Sequence, residues 1–532
     1  MDLPGWSSIG SSDLIIIKFG IAAAATLLLA VNAAGAIRGR SRLSDRRFSI
    51  ALIGLAAIAF ASWWNLGRFH FPNYWHRHEF FHYFLATKYS SELGYTRLYD
   101  CVAVTELEEA PTQGLASRWT RDLRTNDIVA GAPALRDRSL CRPFFSEARW
   151  RDFKQDVLWF RGTVSRSKWT QMQRDHGYNG TPLWTVMGHV LANTGPASER
   201  RVIALALLDP ILLLVMWATV WRAFGWRVLA VAVIWWGTNY PARFTYIGGG
   251  FLRADWLALA IISLALAKRD RFFGSGLAFG MSALLRVFPV FAAVGLLLSQ
   301  LRRPLSGMRR TTRPTVRFIA GCALTAVVLV PVSGAIVGGG AKGAVEIWTA
   351  FVENSRKHLS GYSTNRVGLQ TALAYDPGSR YVDVGVTYYL DSPGDTWQAA
   401  RHRVFSERRI FYWIIALSYL ALLAGAVRRQ PEWVALVAGI GLIPIISNIT
   451  CYYYGIFLAY AFLWPRQPWI GVGLCALSAY TCLVVAILPG EEDVYAAISV
   501  GLVVYVFAVT ARLAWKNLSM GHEVSVSQAR VS

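Results

Sequence analysis

The chain contains few charged residues for its length. Only 16% of its 532 residues are Asp, Glu, Lys or Arg, whereas soluble domains contain about 25%. Acidic residues are the scarcer charged group, with 32 Asp and Glu against 54 Lys and Arg, and 54% of all residues are hydrophobic. This composition excludes a soluble globular protein and indicates a membrane protein.

Long apolar runs make up most of the chain. Thirteen of them are predicted to cross a membrane as helices, since one span needs roughly 20 apolar residues. We therefore expect an all-α polytopic membrane protein, with residues 1–532 forming one transmembrane domain. The segments 273–301 and 453–464 are candidates for broken or re-entrant helices. The predicted spans are 13–36, 48–66, 201–221, 228–243, 253–267, 273–285, 287–301, 318–338, 410–427, 432–447, 453–464, 469–488 and 494–514.

The basic residues cluster between these apolar runs. Four clusters lie at 38–47, 268–271, 302–313 and 428–429. The positive-inside rule places such clusters in the cytoplasm. We therefore interpret the basic residues behind the net charge of +22 as topology signals of an integral multi-pass plasma membrane protein. We expect no nucleic-acid partner.

This topology puts the N-terminus outside and the C-terminus inside. Two long loops, 67–200 and 339–409, then face the periplasm or the extracellular space and contain most of the polar residues. The sequence also lacks a P-loop and a dinucleotide-binding fingerprint. Because an outer site has no access to cytosolic nucleotides, we expect any activated substrate to arrive on a lipid.

Cysteines are few, and the six in the sequence show no metal-site spacing. Cys101 and Cys141 are the two cysteines of loop 67–200. An oxidising outer compartment permits a disulfide between them, which we predict. Two separate buried thiols are the alternative.

The segment 70–100, which begins HFPNYWHRHEFFHYF, directly follows the second predicted span. Aromatic and apolar residues recur in it at helical spacing, which predicts an amphipathic helix lying along the membrane surface. Glu79 lies at the start of this helix. A carboxylate among aromatic residues at a membrane surface is costly, which makes Glu79 a candidate general base. The alternative is an acid that stabilises the helix N-terminus.

Residues 78–82 also form the sequence HEFFH, which matches the H-E-x-x-H signature of zinc proteases. On a helix, His78 and His82 share one face, and the intervening Glu79 would activate water. The pattern is short enough to arise by chance, and no later motif supplies a convincing third ligand. We predict that both histidines line a substrate groove without metal, with a membrane metalloprotease as a minor alternative.

Several basic residues are predicted to lie outside, against the positive-inside trend. Arginine side chains match phosphate oxygens, so one interpretation is a phosphate site, with Asp255 lining the same groove. The other interpretation is structural pairing with acids such as Asp255, Glu346 and Glu353. The outer basic residues are Arg243, Arg253, Arg286, Lys357, His358 and Arg366.

The order of these features resembles the GT-C glycosyltransferases, in particular glycosyltransferase family 87, whose members use polyprenyl-phosphate mannose. EFFHYFLATKYSSELGYTRLY, at 79–99, is similar to the family pattern D-F-x-x-Y-x-x-A-x-x-x-x-x-G-x-x-L-Y, with Glu79 at the acid. The segment at 257–291 resembles a later family region, with Arg286 at a lysine position. NRVGLQTAL at 365–373 and SNITCYYYGIFL at 447–458 look like two further motifs. They carry over Asn365 and place Tyr453 where the family has a histidine.

The resemblance implies a GT-C-like bundle of about 13 transmembrane helices, with a large outer loop bearing the amphipathic helix. It also implies transfer of a sugar, mannose or another hexose or pentose, from a polyprenyl-phosphate donor to a lipid or glycan acceptor at the outer face of the bilayer. Glu79 is then the expected base. No cofactor is required, with a divalent cation as an open alternative. The expected substrate- and phosphate-binding residues are Arg253, Arg286, His358, Asn365, Arg366 and Tyr453.

A lipid or saccharide transporter is the alternative from another functional class. Transporters distribute polar residues through their spans and typically contain an internal repeat. The spans here are mostly apolar and no repeat is visible. The sequence therefore favours an enzyme.

Overall fold

The computed structural model describes residues 10–38, 44–70, 73–109, 114–302, 312–338, 341–381, 383, 392 and 395–529. These residues are mostly helical, as predicted for an all-α membrane protein. The α-helices are α1 (Ser11–Ile37), α2 (Asp45–Trp63), α3 (Arg77–Lys88), α4 (Ser90–Leu93), α5 (Leu98–Glu109), α6 (Glu147–Gly162), α7 (Arg166–Met172), α8 (Pro182–Ala192), α9 (Glu199–Ala206), α10 (Leu208–Phe224), α11 (Trp226–Thr238), α12 (Phe244–Ile247), α13 (Asp255–Lys268), α14 (Phe272–Leu285), α15 (Ala292–Arg302), α16 (Thr312–Val337), α17 (Ala341–Ser360), α18 (Leu369–Ala374), α19 (Thr396–Glu407), α20 (Arg409–Val427), α21 (Glu432–Gly439), α22 (Ile443–Ile446), α23 (Pro468–Ile487) and α24 (Glu491–Ala529).

Short 3₁₀ helices and two strand pairs connect these helices. The strands β1 (Trp119–Arg121) and β2 (Ile128–Ala130) form one antiparallel pair, and β3 (Arg366–Val367) and β4 (Ile449–Thr450) form another. The 3₁₀ helices are Asn65–Gly67, Leu115–Ser117, Pro133–Leu135, Arg138–Leu140, Arg142–Phe144, Phe288–Phe291, Pro377–Ser379, Ile440–Leu442 and Cys451–Leu463.

Each predicted span falls on a helix, but the helices differ in length. Seven of the thirteen predicted spans fall on helices long enough to cross a membrane. The other six fall on shorter helical segments, such as Asp255–Lys268 with 14 residues. Such a helix is about 21 Å long, which is less than the ~30 Å hydrocarbon core. Seven spans are therefore supported, and the full number of thirteen stays a prediction. The seven segments long and apolar enough to cross a membrane are Ser11–Gly35, Asp45–Trp63, Glu199–Phe224, Arg313–Val337, Arg409–Val427, Pro468–Ile487 and Glu491–Trp515.

The segment 273–301 contains a break, as expected. Helix α14 ends at Leu285, and Arg286 has an extended backbone with φ −147° and ψ 122°. One 3₁₀ turn containing Pro289 then precedes α15, and proline has no N–H to continue a regular helix. The break places Arg286 at a helix end, where its side chain is buried in the protein.

The first predicted outer loop, 67–200, folds into a unit of short helices with α3 at its centre. Helix α3 packs against α5, α6 and α8. All nine residues from Phe80 to Lys88 are buried. The prediction of an amphipathic helix on the membrane surface is therefore wrong, because the aromatic residues that suggested a membrane-facing stripe are buried against the rest of the loop and, in the case of Phe80, against Phe251.

The predicted disulfide between Cys101 and Cys141 is confirmed. Their Cα atoms lie 5.3 Å apart, and the two residues are separated by 40 positions in the sequence. Closing a loop of this length restricts the unfolded chain by roughly 4 kcal/mol in the chain-entropy model. The bond thus stabilises the unit that carries α3.

The two predicted outer loops contact each other. Asn354 Nδ2, on α17, donates a hydrogen bond to Tyr178 O at 3.2 Å.

At the opposite end of α13 from Asp255, the ammonium group of Lys268 lies 5.3 Å from the centre of the Trp433 ring, and the Arg466 guanidinium lies 5.9 Å from it. The basic residues of two predicted inner turns therefore lie together at this end of α13, and the topology itself stays a prediction.

We predict that cysteine labelling distinguishes these two ends. Ser117→Cys, at an exposed position of loop 67–200, should react with a membrane-impermeant maleimide in intact cells. Ser306→Cys, in the basic segment 302–313, should react only after permeabilisation; residue 306 lies outside the described residues. Labelling of Ser306→Cys in intact cells would overturn the topology.

Candidate active site

Glu79 occupies the first turn of α3. The His76 ring caps this helix, because its Nδ1 accepts a hydrogen bond from Glu79 N at 3.3 Å. His76 N in turn donates to Gly249 O at 2.8 Å. Gly249 has a φ of +62°, and a Cβ there would lie 2.0 Å from Tyr74 O, so glycine is required at this approach. This contact fixes the start of α3 against the segment that carries Arg253.

Arg253 is held beside Glu79. Arg253 Nε lies 3.1 Å from Glu79 Oε2, although the ion pair is not aligned as a hydrogen bond. The guanidinium lies 5.1 Å from the centre of the Tyr83 ring and 4.8 Å from that of the Tyr452 ring. The two carboxylate oxygens of Asp209 accept hydrogen bonds from Arg253 N and the next backbone N–H, at 2.9 and 3.0 Å. Asp209 therefore positions the backbone of this arginine.

Arg286 is buried near Arg253. It interacts electrostatically with Tyr453, Asp255 and Arg253, and its Nη1 donates to Leu285 O at 2.8 Å. Arg253 Nη1 and Arg286 Nε are buried without a hydrogen-bond partner among the residues that the structure describes. Each such donor costs about 1–3 kcal/mol, and the two like charges repel. A bound anion would reduce both costs, because its oxygens accept charge-assisted hydrogen bonds.

Glu79 faces a cavity of about 520 Å³, which we call the polar cavity. Both predicted outer loops contribute to its lining, since it lies between α3 and the region around α17. Its volume falls within the range of small-molecule sites, about 300–1,000 Å³. The ionisable basic and acidic residues that line it are His76, His78, Glu79, His82, Lys168, Asp175, His176, Lys357, His358, Arg366 and His402.

Arg253 also borders a narrow apolar crevice, which we call the tryptophan crevice. It is lined by the indoles of Trp63, Trp64, Trp236 and Trp256, which belong to helices of the predicted membrane region. Tyr452 lines both the tryptophan crevice and the polar cavity. The ion pair of Arg253 and Glu79 therefore lies where an apolar crevice meets a polar cavity.

His78, His82 and Asp175 lie together at one side of the polar cavity. Each offers one ligand atom, and these atoms all lie within 4.8 Å of one another. His78 Nε2 lies 2.8 Å from Asp175 Oδ2. Burial alone would raise the pKa of Asp175, but the hydrogen bond and charge interaction with His78 outweigh it and hold the pKa well below its usual range. The structure thus supplies the third candidate ligand that the sequence did not reveal.

Hydrogen bonds already engage both ring nitrogens of His82. Burial lowers the pKa of His82 to about 4, so the ring is neutral near pH 7. Its Nδ1 faces the carbonyl oxygen of His78 at 2.8 Å, and its Nε2 faces Tyr99 OH at 2.7 Å and the carbonyl oxygen of Met172 at 3.1 Å. Glu79, the residue that would activate a metal-bound water, is paired with Arg253. The donor set therefore fits a zinc hydrolase poorly.

The predicted phosphate-binding residues fall into two groups. Arg253, Arg286 and Tyr453 form one group, since both arginines interact electrostatically with Tyr453. Arg366 and His358 belong to the other, in which the Arg366 guanidinium donates to His358 O. Burial lowers the pKa of His358 to about 4, with Lys357 and Arg366 adding to the effect. His358 is therefore neutral near pH 7 and cannot neutralise a phosphate by charge.

The two motifs at 365–373 and 447–458 meet through β3 and β4. In this pair Arg366 lies opposite Thr450, and Asn365 O accepts a hydrogen bond from Cys451 N at 2.9 Å. Asn365, Arg366 and Thr450 all line the polar cavity. The backbone pairing therefore brings residues from two distant parts of the chain to one wall.

Asp255 does not line the polar cavity, in contrast to its predicted position in a groove. Its side chain is buried at the start of α13, where Oδ1 accepts a hydrogen bond from Trp256 N at 2.6 Å. Its charge interacts with Arg286. The buried carboxylate therefore accepts a hydrogen bond in the first turn of α13 and partly neutralises a buried guanidinium.

The sequence did not single out Tyr83, Tyr452 or Asp175 as site residues. Tyr83 lies four residues after Glu79 on α3, so helical spacing could have indicated it. Tyr452 directly precedes Tyr453, the residue that the family resemblance places at a motif position. Asp175 is 97 positions from His78 and had no local signal.

Comparisons of the chain with protein-family models, with curated proteins and with solved structures gave no match.

Proposed function

We propose that this protein is a membrane glycosyltransferase that moves a sugar from a polyprenyl-phosphate donor to a lipid or glycan acceptor at the outer face of the membrane. The observation that carries the proposal is the ion pair of Glu79 and Arg253 at the junction of the tryptophan crevice and the polar cavity. An isoprenoid chain, a phosphate and a sugar require an apolar, a cationic and a polar environment in this order.

In this proposal the donor lies across the junction. The tryptophan crevice holds only about 20 Å³, so the isoprenoid chain stays in the bilayer with its phosphate end at the crevice, and the phosphate binds the buried donors of Arg253 and Arg286. The sugar then extends into the polar cavity, whose 520 Å³ accommodate a monosaccharide together with an acceptor hydroxyl. The unsatisfied Arg253 Nη1 and Arg286 Nε support this placement of the phosphate.

The transfer then follows as one displacement. Glu79 takes the proton of the acceptor hydroxyl while the acceptor oxygen forms a bond to the anomeric carbon. The bond between that carbon and the phosphate oxygen breaks, and its electron pair leaves with the polyprenyl phosphate. A positioned base typically contributes about 10²–10⁴-fold, and Arg253 and Arg286 stabilise the charge that develops on the leaving phosphate.

A zinc hydrolase is the second candidate, because His78, His82 and Asp175 could supply three ligand atoms within 4.8 Å of one another. It would use the HEFFH segment, with Glu79 activating water. The hydrogen bonds of His82 and the pairing of Glu79 with Arg253 favour the transferase.

We predict that the purified protein consumes polyprenyl-phosphate sugars without any ion gradient. The assay supplies radiolabelled polyprenyl-phosphate hexoses and pentoses together with a membrane lipid extract as the acceptor mixture. Labelled product and free polyprenyl phosphate should form, and zinc chelators should leave the rate unchanged. Donor that only moves between leaflets with its glycosidic bond intact would indicate a transporter, and one zinc per chain with chelator-sensitive hydrolysis would indicate the hydrolase.

A further inference from the structure

The polar cavity adjoins a second space of about 480 Å³, which we call the basic vestibule. It lies between the segment 70–78, helix α7 and helix α12. Because Glu79 directly follows His78 on α3 and lines the polar cavity, the two spaces meet beside the proposed base. The residues that line both spaces are His76, His78, Lys168 and Thr245.

Positive charge dominates the basic vestibule. Arg77 and Lys168 line it, and no Asp or Glu is among its described lining residues. Burial lowers the pKa of His76 well below its usual value, and the positive charges around this ring, those of Arg253 and Lys168 included, lower the pKa further. A cleft lined by one sign of charge attracts ligands of the opposite sign, so the basic vestibule favours an anion.

Arg77 makes no hydrogen bond and no ion pair with the described residues. Its Nε is buried without a partner. The guanidinium lies 5.8 Å from the centre of the Trp75 ring, and this ring stacks on that of Trp159 with 5.7 Å between the ring centres. A guanidinium matches a carboxylate with two parallel hydrogen bonds, so a bound carboxylate would supply the partner that Arg77 lacks.

Lys168 lies at the junction of the two spaces. Its Nζ donates to Gln171 Oε1, on the same helix, at 2.9 Å. The carboxylate whose charge acts on Lys168 is that of Asp175, and this carboxylate is bound to His78 Nε2 at 2.8 Å. Because an ammonium group has three donors, Lys168 retains donors for a ligand at this junction.

The rest of the lining suits a sugar chain better than a lipid chain. Val164 is the one aliphatic residue in the described lining of the basic vestibule. Asn73, Ser165 and Thr245 contribute an amide and two hydroxyl groups, and Trp75 contributes an indole. Amide and hydroxyl groups both donate and accept hydrogen bonds, as sugar hydroxyls require. The basic vestibule therefore combines groups for sugar hydroxyls with two cations.

We propose that the basic vestibule binds the acceptor, and that this acceptor is an acidic glycan whose carboxylate pairs with Arg77 and Lys168. This inference rests on the proposed glycosyltransferase function and specifies the acceptor of that reaction. The acidic sugar lies in the basic vestibule, and the next sugar of the chain extends past His78 into the polar cavity. Glu79 then takes the proton of the hydroxyl group on that next sugar.

A binding experiment without donor tests this proposal. The probe is a fluorescent trigalacturonate, titrated against the purified full-length chain in a non-ionic detergent. We expect Arg77→Gln and Lys168→Gln each to raise the Kd about tenfold, as for a lost charge-assisted hydrogen bond. Arg77→Lys keeps the charge and should recover part of the affinity. Thermal unfolding confirms that each variant is folded.

Arg166→Gln is the matched control. Arg166 is exposed, begins α7 and lines neither the polar cavity nor the basic vestibule. The substitution therefore removes the same charge close to Lys168 and should leave the Kd unchanged. Equal Kd values for the wild type and all variants, or an equal loss with Arg166→Gln, would overturn the assigned site.

Competing ligands test the chemistry of the acceptor. Neutral galactotriose should compete at least about tenfold more weakly than unlabelled trigalacturonate, because it cannot pair with the two cations. Inorganic phosphate that competes as strongly as trigalacturonate would show an anion site without glycan specificity and would overturn the glycan assignment. Phosphatidic acid that competes more strongly than trigalacturonate would overturn it in favour of an anionic lipid.

A transfer assay separates this inference from the proposed function. With radiolabelled donor, trigalacturonate should become labelled, and at subsaturating acceptor Arg77→Gln and Lys168→Gln should each lower the rate about tenfold, as they lower the affinity. Charge-dependent binding of the probe without transfer to any acceptor would contradict the proposed function alone. Transfer to membrane lipids that proceeds normally in both variants, with none to trigalacturonate, would contradict the acidic acceptor alone.

Discussion

Replacing Glu79 with glutamine is expected to lower the rate of sugar transfer by about a hundredfold or more, because the acceptor hydroxyl then has no base. Glutamine has nearly the same shape as glutamate, so α3 and its His76 cap should persist. Donor binding should persist as well, since the phosphate contacts belong to Arg253 and Arg286. The measurements are single-turnover transfer of radiolabelled sugar and the Kd of the donor, both on folded protein checked by thermal unfolding.

Two controls make this result specific. Glu147→Gln carries the same substitution at an exposed acid of the same outer unit, and its transfer rate should equal that of the wild type. Glu79→Asp restores a carboxylate that is shorter by one methylene and should retain part of the activity. Full activity of Glu79→Gln would show that Glu79 serves only as the structural partner of Arg253.

His82 distinguishes the two candidate chemistries in the same assay. If His82 only supports the cavity wall through Tyr99, His82→Ala should reduce transfer partially. Complete loss of activity with His82→Ala, together with one bound zinc in the wild type, would support the hydrolase instead.

Hydropathy predicted where the helices lie because the requirement for apolar side chains in a bilayer acts on each segment separately. Seven of the thirteen predicted spans coincide with helices long enough to cross a membrane, and the other six overlap shorter helical segments. Hydropathy could not predict the lengths of the broken helices. A break such as that at Arg286 is stable only when tertiary contacts satisfy the backbone N–H and C=O groups that the break leaves unpaired. The disulfide between Cys101 and Cys141 was predictable for a simple reason, namely that loop 67–200 contains no other cysteine.

The environment of α3 was not predictable from its own sequence. A helical repeat of aromatic residues fits a membrane-facing stripe and a buried helix equally well. The difference arises from α5, α6 and α8, which surround α3 on the folded outer unit. Periodicity reports which residues share a face, and the rest of the chain decides what that face contacts.

The sequence predicted charged residues of the candidate site and, through the family resemblance, Asn365, which lines the polar cavity. Glu79 and Arg253 were identified separately, as a negatively charged and a positively charged residue that each needed a reason to lie at a membrane surface. Their pairing depends on the close approach of Gly249 to Tyr74, and no local pattern encodes such an approach. The division of the predicted phosphate-binding residues into two groups has the same origin, since it follows from the packing of distant segments around the polar cavity.

Replacing Arg253 with glutamine is expected to lower transfer by about 10²–10³-fold, comparable to the loss of one oxyanion-stabilising donor. The substitution removes the guanidinium that contacts Glu79 and borders the tryptophan crevice. Donor affinity should fall with the rate, because the phosphate loses a fixed positive charge in both the ground state and the transition state. Donor Kd and single-turnover rate are the two measurements.

The matched control is Arg243→Gln, ten residues earlier in the same outer turn. The Arg243 guanidinium lies between the rings of Tyr240 and Tyr246, 3.9 Å from each ring centre, and it lines neither the tryptophan crevice nor the polar cavity. Its loss should change stability more than donor affinity. Arg253→Gln also leaves Glu79 without its partner, and breaking a buried pair costs about 3–5 kcal/mol, so Arg253→Lys serves as the second variant that keeps the charge. If Arg253→Gln and Arg253→Lys both remain folded and bind the donor with wild-type Kd, the phosphate does not bind at Arg253, and the tryptophan crevice is not the donor site.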